Sequence, residues 1–231
     1  MNEHTLSMRL ERVAAQVPVG ARLADIGSDH GYLPVALMRR GGLESAVAGE
    51  VALTPFHAAR RTVRENAFEQ KITVRLADGL AAIEPEDRIS AISICGMGGE
   101  TIRDILDSGK ARLNGKERLI LQPNGGEQPL RQWLMDNGYC ILFEEVLREN
   151  RFYYEIIVAE PASPVRYTPE ELYFGPLLLQ ARSPAFVGKW QRLLLQKQKT
   201  LHSFTHARQV VPAQKVRETA QQVEWITQLL A

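Results

Sequence analysis

The sequence predicts an α/β fold: a parallel sheet with helices on both faces, closed by an antiparallel hairpin and extended by a helical tail. Three observations carry this. Five short strand-like runs alternate with helical segments between residues 22 and 137, the period of βαβ units. Two more strand-like runs, 139–147 and 152–159, are separated only by Arg148-Glu149-Asn150-Arg151. That linker is too short for a crossover helix and suits a hairpin. Beyond Pro161, Pro164 and Pro169, apolar residues recur at three- and four-residue steps, which is helical spacing.

Each element follows in order. Residues 5–17 place Leu6, Leu10, Val13 and Val17 on one helical face, and Pro18 stops the run. Strands are predicted over 22–27, 45–51, 72–77, 90–95 and 118–122, with helices near 32–41, 54–69, 98–109 and 126–137. In the tail, Leu172, Leu177 and Leu178 begin an apolar stripe that runs through Trp190 to Phe204. Val210-Val211-Pro212 interrupts it, and Val216, Ala220, Val223, Ile226 and Leu230 resume it. This predicts two long helices folded back as an antiparallel coiled-coil pair. The division is a sheet domain over 1–160 and a helical domain over 161–231.

Composition narrows the function classes. No stretch approaches the ~18 uninterrupted apolar residues of a membrane span. Met1-Asn-Glu-His-Thr5 lacks the basic-then-apolar pattern of a secretion signal. The expectation is a cytoplasmic protein with no membrane partner. Cys95 and Cys140 sit in apolar strand-like runs and read as buried thiols, with no disulfide or metal site. Net charge is +1, unevenly spread: residues 1–160 carry 19 Lys/Arg and 23 Asp/Glu, residues 161–231 carry 9 and 4. A basic tail on an acidic body suits a polyanionic partner or a solvated helix surface.

The most informative stretch is Asp25-Ile-Gly-Ser-Asp-His-Gly-Tyr-Leu-Pro34. An apolar strand enters a small-residue turn at Gly27, Ser28 and Gly31, and a helix follows. A pyrophosphate-binding turn reads G-x-G-x-x-G and leaves the strand apolar. Here the second glycine is missing and Asp25 precedes the turn. That suits a cofactor with a cationic amino-acid end, S-adenosyl-L-methionine (SAM). Glu50 ends the second strand, placed to accept from both ribose hydroxyls. Asp78 ends the third, followed by Gly79-Leu80; the carboxylate can accept from the adenine amine and Leu80 can pack on the ring. Gly96-Met97-Gly98-Gly99 closes the fourth and lets backbone approach a ligand. Four such signals at four successive strand ends converge on one crevice at the topological switch point. Five parallel strands plus a terminal hairpin is also the layout of Rossmann-like methyltransferases, whereas a dinucleotide-binding domain lacks the hairpin. Gln122 and Asn124, at the fifth strand's end, either hydrogen-bond a target base or form a proline turn with a helix cap. Enzymes that methylate exocyclic amines often carry Asn-Pro-Pro-Tyr after the fourth strand; the glycine run here disfavours that chemistry.

The Asp25–Pro34 run, Gly49-Glu50-Val51, Asp78-Gly79-Leu80, Gly96-Met97-Gly98-Gly99 and Leu119-Ile-Leu-Gln-Pro-Asn124 resemble the bacterial tRNA (adenine-22-N1)-methyltransferases. So do the opening segment Leu6–Val13 and Tyr173-Phe-Gly-Pro176. The likeness covers nearly the whole chain. It implies a Rossmann-like class I methyltransferase domain, a C-terminal coiled-coil domain, SAM as donor and N1 of a tRNA adenine as acceptor. It implies cofactor contacts at Asp25, Gly27, Ser28, His30, Glu50, Val51, Asp78, Gly79, Leu80, Gly96, Met97 and Gly98.

Adenine N1 carries a free lone pair at neutral pH and attacks without losing a proton, so the enzyme needs positioning more than a base. The product is cationic, and a nearby carboxylate stabilises the developing charge. Asp29 is the candidate for that role; the alternative is a helix cap. His30, Tyr32 and Asn124 complete the catalytic set, His30 shaping the pocket and Tyr32 stacking on a base or packing. The target base must be flipped, because N1 is hidden in a paired or stacked adenine. Arg9 either contacts phosphate or is a solvated helix residue. Arg182, Lys189, Arg192, Lys197, Lys199 and Arg208 are candidate phosphate contacts, and the protein is expected to be a monomer or weak dimer. The rival readings are a methyltransferase acting on a small molecule or protein, an NAD-linked oxidoreductase, and a non-catalytic SAM- or RNA-binding scaffold.

Overall fold

The computed structural model describes residues 2–205 and 210–231. Among these residues seven strands form one sheet in the order β3-β2-β1-β4-β5-β7-β6. They are β1 (Ala21–Ile26), β2 (Leu43–Glu50), β3 (Ile72–Leu76), β4 (Ala91–Met97), β5 (Arg118–Pro123), β6 (Tyr139–Glu149) and β7 (Phe152–Pro161). The first five run parallel. Strand β7 is antiparallel to both β5 and β6, so the predicted hairpin is present. Its strands reach closer than the sequence suggested, leaving Asn150-Arg151 as the loop with Asn150 at φ 57°, a conformation asparagine tolerates.

The central strands are apolar on both faces, as covered parallel strands must be. Leu23, Ala24, Ile92, Ile94, Leu119, Ile120 and Leu121 are fully buried. One face packs under α1 (Met8–Ala14), α2 (Tyr32–Arg39) and α3 (Leu53–Glu65), through Val13, Val35 and Val63. The other packs under α4 (Gly99–Ser108) and α5 (Glu127–Asp136), through Ile102, Leu106, Leu130 and Leu134.

The tail departs from the two-helix expectation. Two short helices come first, α6 (Pro169–Phe174) and α7 (Pro176–Ala181), then α8 (Pro184–Phe204) and α9 (Ala213–Leu230). Gly175 at φ 97° before Pro176, and Arg182 at φ 42° before Pro184, break the run. The long pair is antiparallel. Arg182 meets the Leu229 carbonyl, Lys197 meets Gln222, and Lys215 lies over the Phe204 ring. The tail's core is shared with the sheet: Val146 of β6 packs with Phe174, Leu178, Phe186, Trp190 and Ile226. No helix among the described residues is long and apolar enough to cross a membrane.

A buried ion network ties tail to sheet. Arg131 on α5 is fully buried; its Nε donates to Glu144 at 2.7 Å, a second nitrogen donates to Glu155, and Nη1 donates to the Leu172 carbonyl. Lys189 on α8 donates to Glu127 at 2.9 Å and to Glu155. Gly175 lies against this network, where a Cβ would come within 2.8 Å of Arg131 Nη2 and Glu144 Oε1.

Candidate active site

The β1–α2 turn is built by backbone conformations that few residues adopt. Gly27 and Gly31 sit at φ 71° and Asp29 at φ 59°; aspartate is among the residues that tolerate this region. Helix α2 starts after Gly31 with no side-chain cap. The helix-cap alternative for Asp29 therefore falls. Its carboxylate is exposed, with His30 Nε2 at 3.7 Å, and the His30 and Tyr32 rings stack with centroids 5.0 Å apart.

Beneath the turn, two carboxylates are buried. Asp25 accepts from the hydroxyls of Ser28 and Ser93, both at 2.6 Å. Burial pushes its carboxyl up, and the two hydroxyls offset part of that. Glu50, at the end of β2, accepts the backbone N–H of Asp29. Burial pushes its carboxyl up to about 7, against the pull of that N–H and with help from the charges of Asp25 and Asp29. The turn is thus clamped across two strand ends through a main-chain hydrogen bond.

Strand β4 ends in a bulge at Gly96, φ 78°. Asn124 bridges to it, donating to the Gly96 carbonyl at 2.9 Å while its own N–H donates to the Met97 carbonyl at 2.7 Å. Gln122 is fully buried and saturated. Its oxygen accepts from Arg9 and from the Gly96 N–H, and its amide donates to the Pro123 carbonyl and to Asn124. Gln122 is therefore unavailable to a base, which removes one of its two sequence readings; it braces the loop. Gly99 lies backbone to backbone on the loop before α5, and a Cβ there would sit 2.0 Å from the Gly126 carbonyl oxygen. Gly99→Ala is expected to cost at least about 1–3 kcal/mol by overpacking, read from chemical denaturation.

These elements enclose a cavity of about 340 Å³ lined by Arg9, Asp25, Ser28, Asp29, His30, Tyr32 and the Cys95-Gly96-Met97 segment among others. Gly27 also lines it. Eight predicted site residues thus share one wall. Others lie beside it. Asp78 is exposed at the β3 end, joined to the β2 end by the Ala77 N–H donating to the Glu50 carbonyl at 2.8 Å. Val51 is exposed, Gly98 precedes α4, and Gly79 opens a 3-10 turn. Leu80 is buried in the core against α4, with Gly109 beside it; only its backbone is offered to the edge.

Four lining residues were not assigned to the site by the sequence: the apolar Leu10 and Leu33, and Arg9 and Cys95. Arg9 turns inward: it hydrogen-bonds Gln122 and lies 5.2 Å over the Tyr154 ring. Its position between Leu6 and Val13 on the apolar face of α1 was the available signal. Cys95 is half-buried in the cavity wall, not sealed in the core. Burial, with Asp25 adding, raises its thiol and holds it protonated.

The crevice suits SAM on the chemistry of its donors and acceptors: carboxylates at adjacent strand ends, glycine-rich backbone, and no phosphate-binding glycine pattern. Known proteins agree. A family model described as tRNA (adenine(22)-N(1))-methyltransferase matches residues 23–227. The Bacillus subtilis tRNA (adenine(22)-N(1))-methyltransferase is 38% identical over 236 residues, covering 100% of this chain and 99% of that protein. The crystal structure of the B. subtilis m1A22 tRNA methyltransferase superposes with TM-score 0.91 at 36% identity, over 99% of this chain and 100% of that one. A Streptococcus pneumoniae protein solved in complex with SAM superposes with TM-score 0.89 at 41% identity, over 98% and 100%. The sheet order, the clamped turn and the full-length likeness lead to one assignment: this chain belongs to the tRNA (adenine(22)-N(1))-methyltransferase family.

Proposed function

We propose that the chain methylates N1 of adenine 22 in tRNA with SAM as donor, and that the clamped Ser28-Asp29-His30 turn is the centre of the chemistry. The observation that carries this is the bond from the Asp29 amide to Glu50. It places an exposed carboxylate beside the cavity at the sheet's carboxyl edge.

When bound, SAM supplies an electrophilic methyl group on a sulfonium. Asp25, Gly27, Ser28, His30 and the Gly96-Met97-Gly98 turn would hold its amino-acid end. Glu50, beside Val51, would take the ribose hydroxyls, and Asp78 with the Gly79-Leu80 backbone the adenine. The flipped target adenine needs no base to attack. Asp29 stabilises the positive charge that builds on the ring, the His30–Tyr32 stack offers it an aromatic face, and Asn124 borders the rim. Arg9 holds the Gln122 brace and presents the one cation of this cavity wall among the described residues.

The phosphate-contact set changes on structural grounds. Lys189 is buried between Glu127 and Glu155 and is withdrawn. Arg208 lies outside the described residues. Arg182, Arg192, Lys197 and Lys199 remain as sequence-independent contacts. The protein acts in the cytoplasm as a monomer or weak dimer.

Nucleoside mass spectrometry of an unmodified tRNA transcript incubated with SAM tests the activity. The expected result is 1-methyladenine at tRNA position 22, absent when the transcript carries guanine there instead of adenine. Methylation at any other atom overturns it. A pH dependence follows from Glu50. Below about 7 its carboxyl is protonated in the free protein and a poorer acceptor for ribose hydroxyls. Calorimetric SAM affinity should rise between pH 6 and 8, flattening in Glu50→Gln. The folded carboxyl lies above its ordinary 4.5, so the free protein loses stability as pH climbs from 4.5 through about 7. A flat affinity profile in the native protein would count against this role for Glu50.

A further inference from the structure

A second cavity, of about 440 Å³, lies where the hairpin, the start of α5 and α8 meet. Its volume is in the range of small-ligand sites. Phe152, Tyr153, Tyr173, Trp190, Arg192 and Lys197 are among its lining residues. Gly125-Gly126-Glu127 also lines it and directly follows Asn124, which donates to the Gly96 carbonyl in the wall of the first cavity. The two cavities are therefore neighbours along one edge.

Two features fit an RNA nucleotide. Phe152 is 49% exposed at the hairpin tip, and aromatic rings beside cations are the usual platform for an unpaired base. The wall's other charges cancel: Lys189 is paired with Glu127. That leaves Arg192 and Lys197, which donate to the Arg151 carbonyl and to the Gln222 side chain, as the excess positive charge. Helix α8 packs closely on the hairpin at Gly188, in its second turn. A Cβ there would lie 2.6 Å from the Tyr153 hydroxyl oxygen.

We infer that this cavity receives an unpaired nucleotide of the tRNA other than the methylated adenine, its base stacked on Phe152 and its phosphate beside Arg192. The inference rests on the tRNA reading above and adds a second RNA anchor to it. It explains why the helical tail is fused to the hairpin edge, since the site exists only where the two meet.

The test uses full-length protein carrying Phe152→Ala, Phe152→Leu, Phe152→Trp or Arg192→Ala, with a tRNA transcript as probe. Phe152 is half-exposed, so its truncation spares the core. Expected for Phe152→Ala and Phe152→Leu is a KM for tRNA raised about 5- to 100-fold, the loss of one stacked base. The SAM affinity, kcat and salt slope of tRNA binding should be unchanged, and Phe152→Trp should restore KM. Arg192→Ala should lower the salt slope by about one phosphate. KM within twofold of wild type in both Phe152→Ala and Phe152→Leu overturns the inference. So does a change of mass by light scattering in Phe152→Ala, which would place a second copy of the chain in the cavity. If gel-shift binding of tRNA depends on Phe152 while wild type transfers no methyl group, the activity assignment fails and the cavity stands.

Discussion

Asp29→Asn is expected to lower the rate of N1 methylation about 10²- to 10³-fold, the scale of losing one preorganised electrostatic contact to a transition state. Calorimetric SAM affinity should change less than about threefold, about half of the 1.36 kcal/mol that a tenfold loss represents. Asparagine is the informative substitution. Position 29 sits at φ 59°, where asparagine is tolerated and alanine adds strain of about 1–2 kcal/mol. The Asp29 amide that clamps Glu50 is kept, so only the charge is removed. Single-turnover methyl transfer to a tRNA transcript at saturating SAM is the measurement. Turnover above half of wild type would show that the developing charge is met elsewhere, and the role would pass to another group of the cavity.

The second large effect is on stability. Arg131→Met should destabilise the protein by about 3–5 kcal/mol, because it leaves Glu144 and Glu155 buried without their shared cation. At roughly 2–4 °C per kcal/mol for a chain of this size, the melting temperature should fall by about 6–20 °C. Burial opposes the charge on Arg131, yet Glu155 and Glu144 outweigh it and hold the guanidinium charged. Burial raises the Glu144 carboxyl even against that attraction. Adding Glu144→Gln to Arg131→Met should therefore recover part of the loss, since it removes one stranded charge. A loss under about 1 kcal/mol for Arg131→Met would mean that water reaches the network. The same network joins α5 to α8 through Glu127 and Lys189. Cutting the chain before the tail would strip Lys189 from Glu155 and uncover Val146, so point substitutions test the tail better than deletion.

The strands were legible because each is a short apolar run bounded by turn residues. The hairpin was legible because its linker is too short for any alternative. Glycines and carboxylates at strand ends were legible because a parallel sheet brings all its carboxyl ends to one edge. The breaks that make α6 and α7 separate helices were harder to see. Gly175-Pro176 and Ser183-Pro184 interrupt a stripe whose apolar spacing continues through them.

The order of elements, the hairpin and the side of the sheet that holds the site were determined by local sequence alone: periodicity, turn chemistry and chain connectivity act over a few residues. Tertiary structure alone decided which polar groups are free. Gln122 was open as a base contact or a turn residue and is saturated by four partners; Lys189 looked like a phosphate contact and is locked between two glutamates; Arg9 was open as a phosphate contact or a solvated residue and lines the cavity. A side chain's type sets what it can donate or accept. Whether that capacity is already used depends on groups far away in the chain, as with Arg9 and Gln122, 113 positions apart, and only the packed fold brings those together.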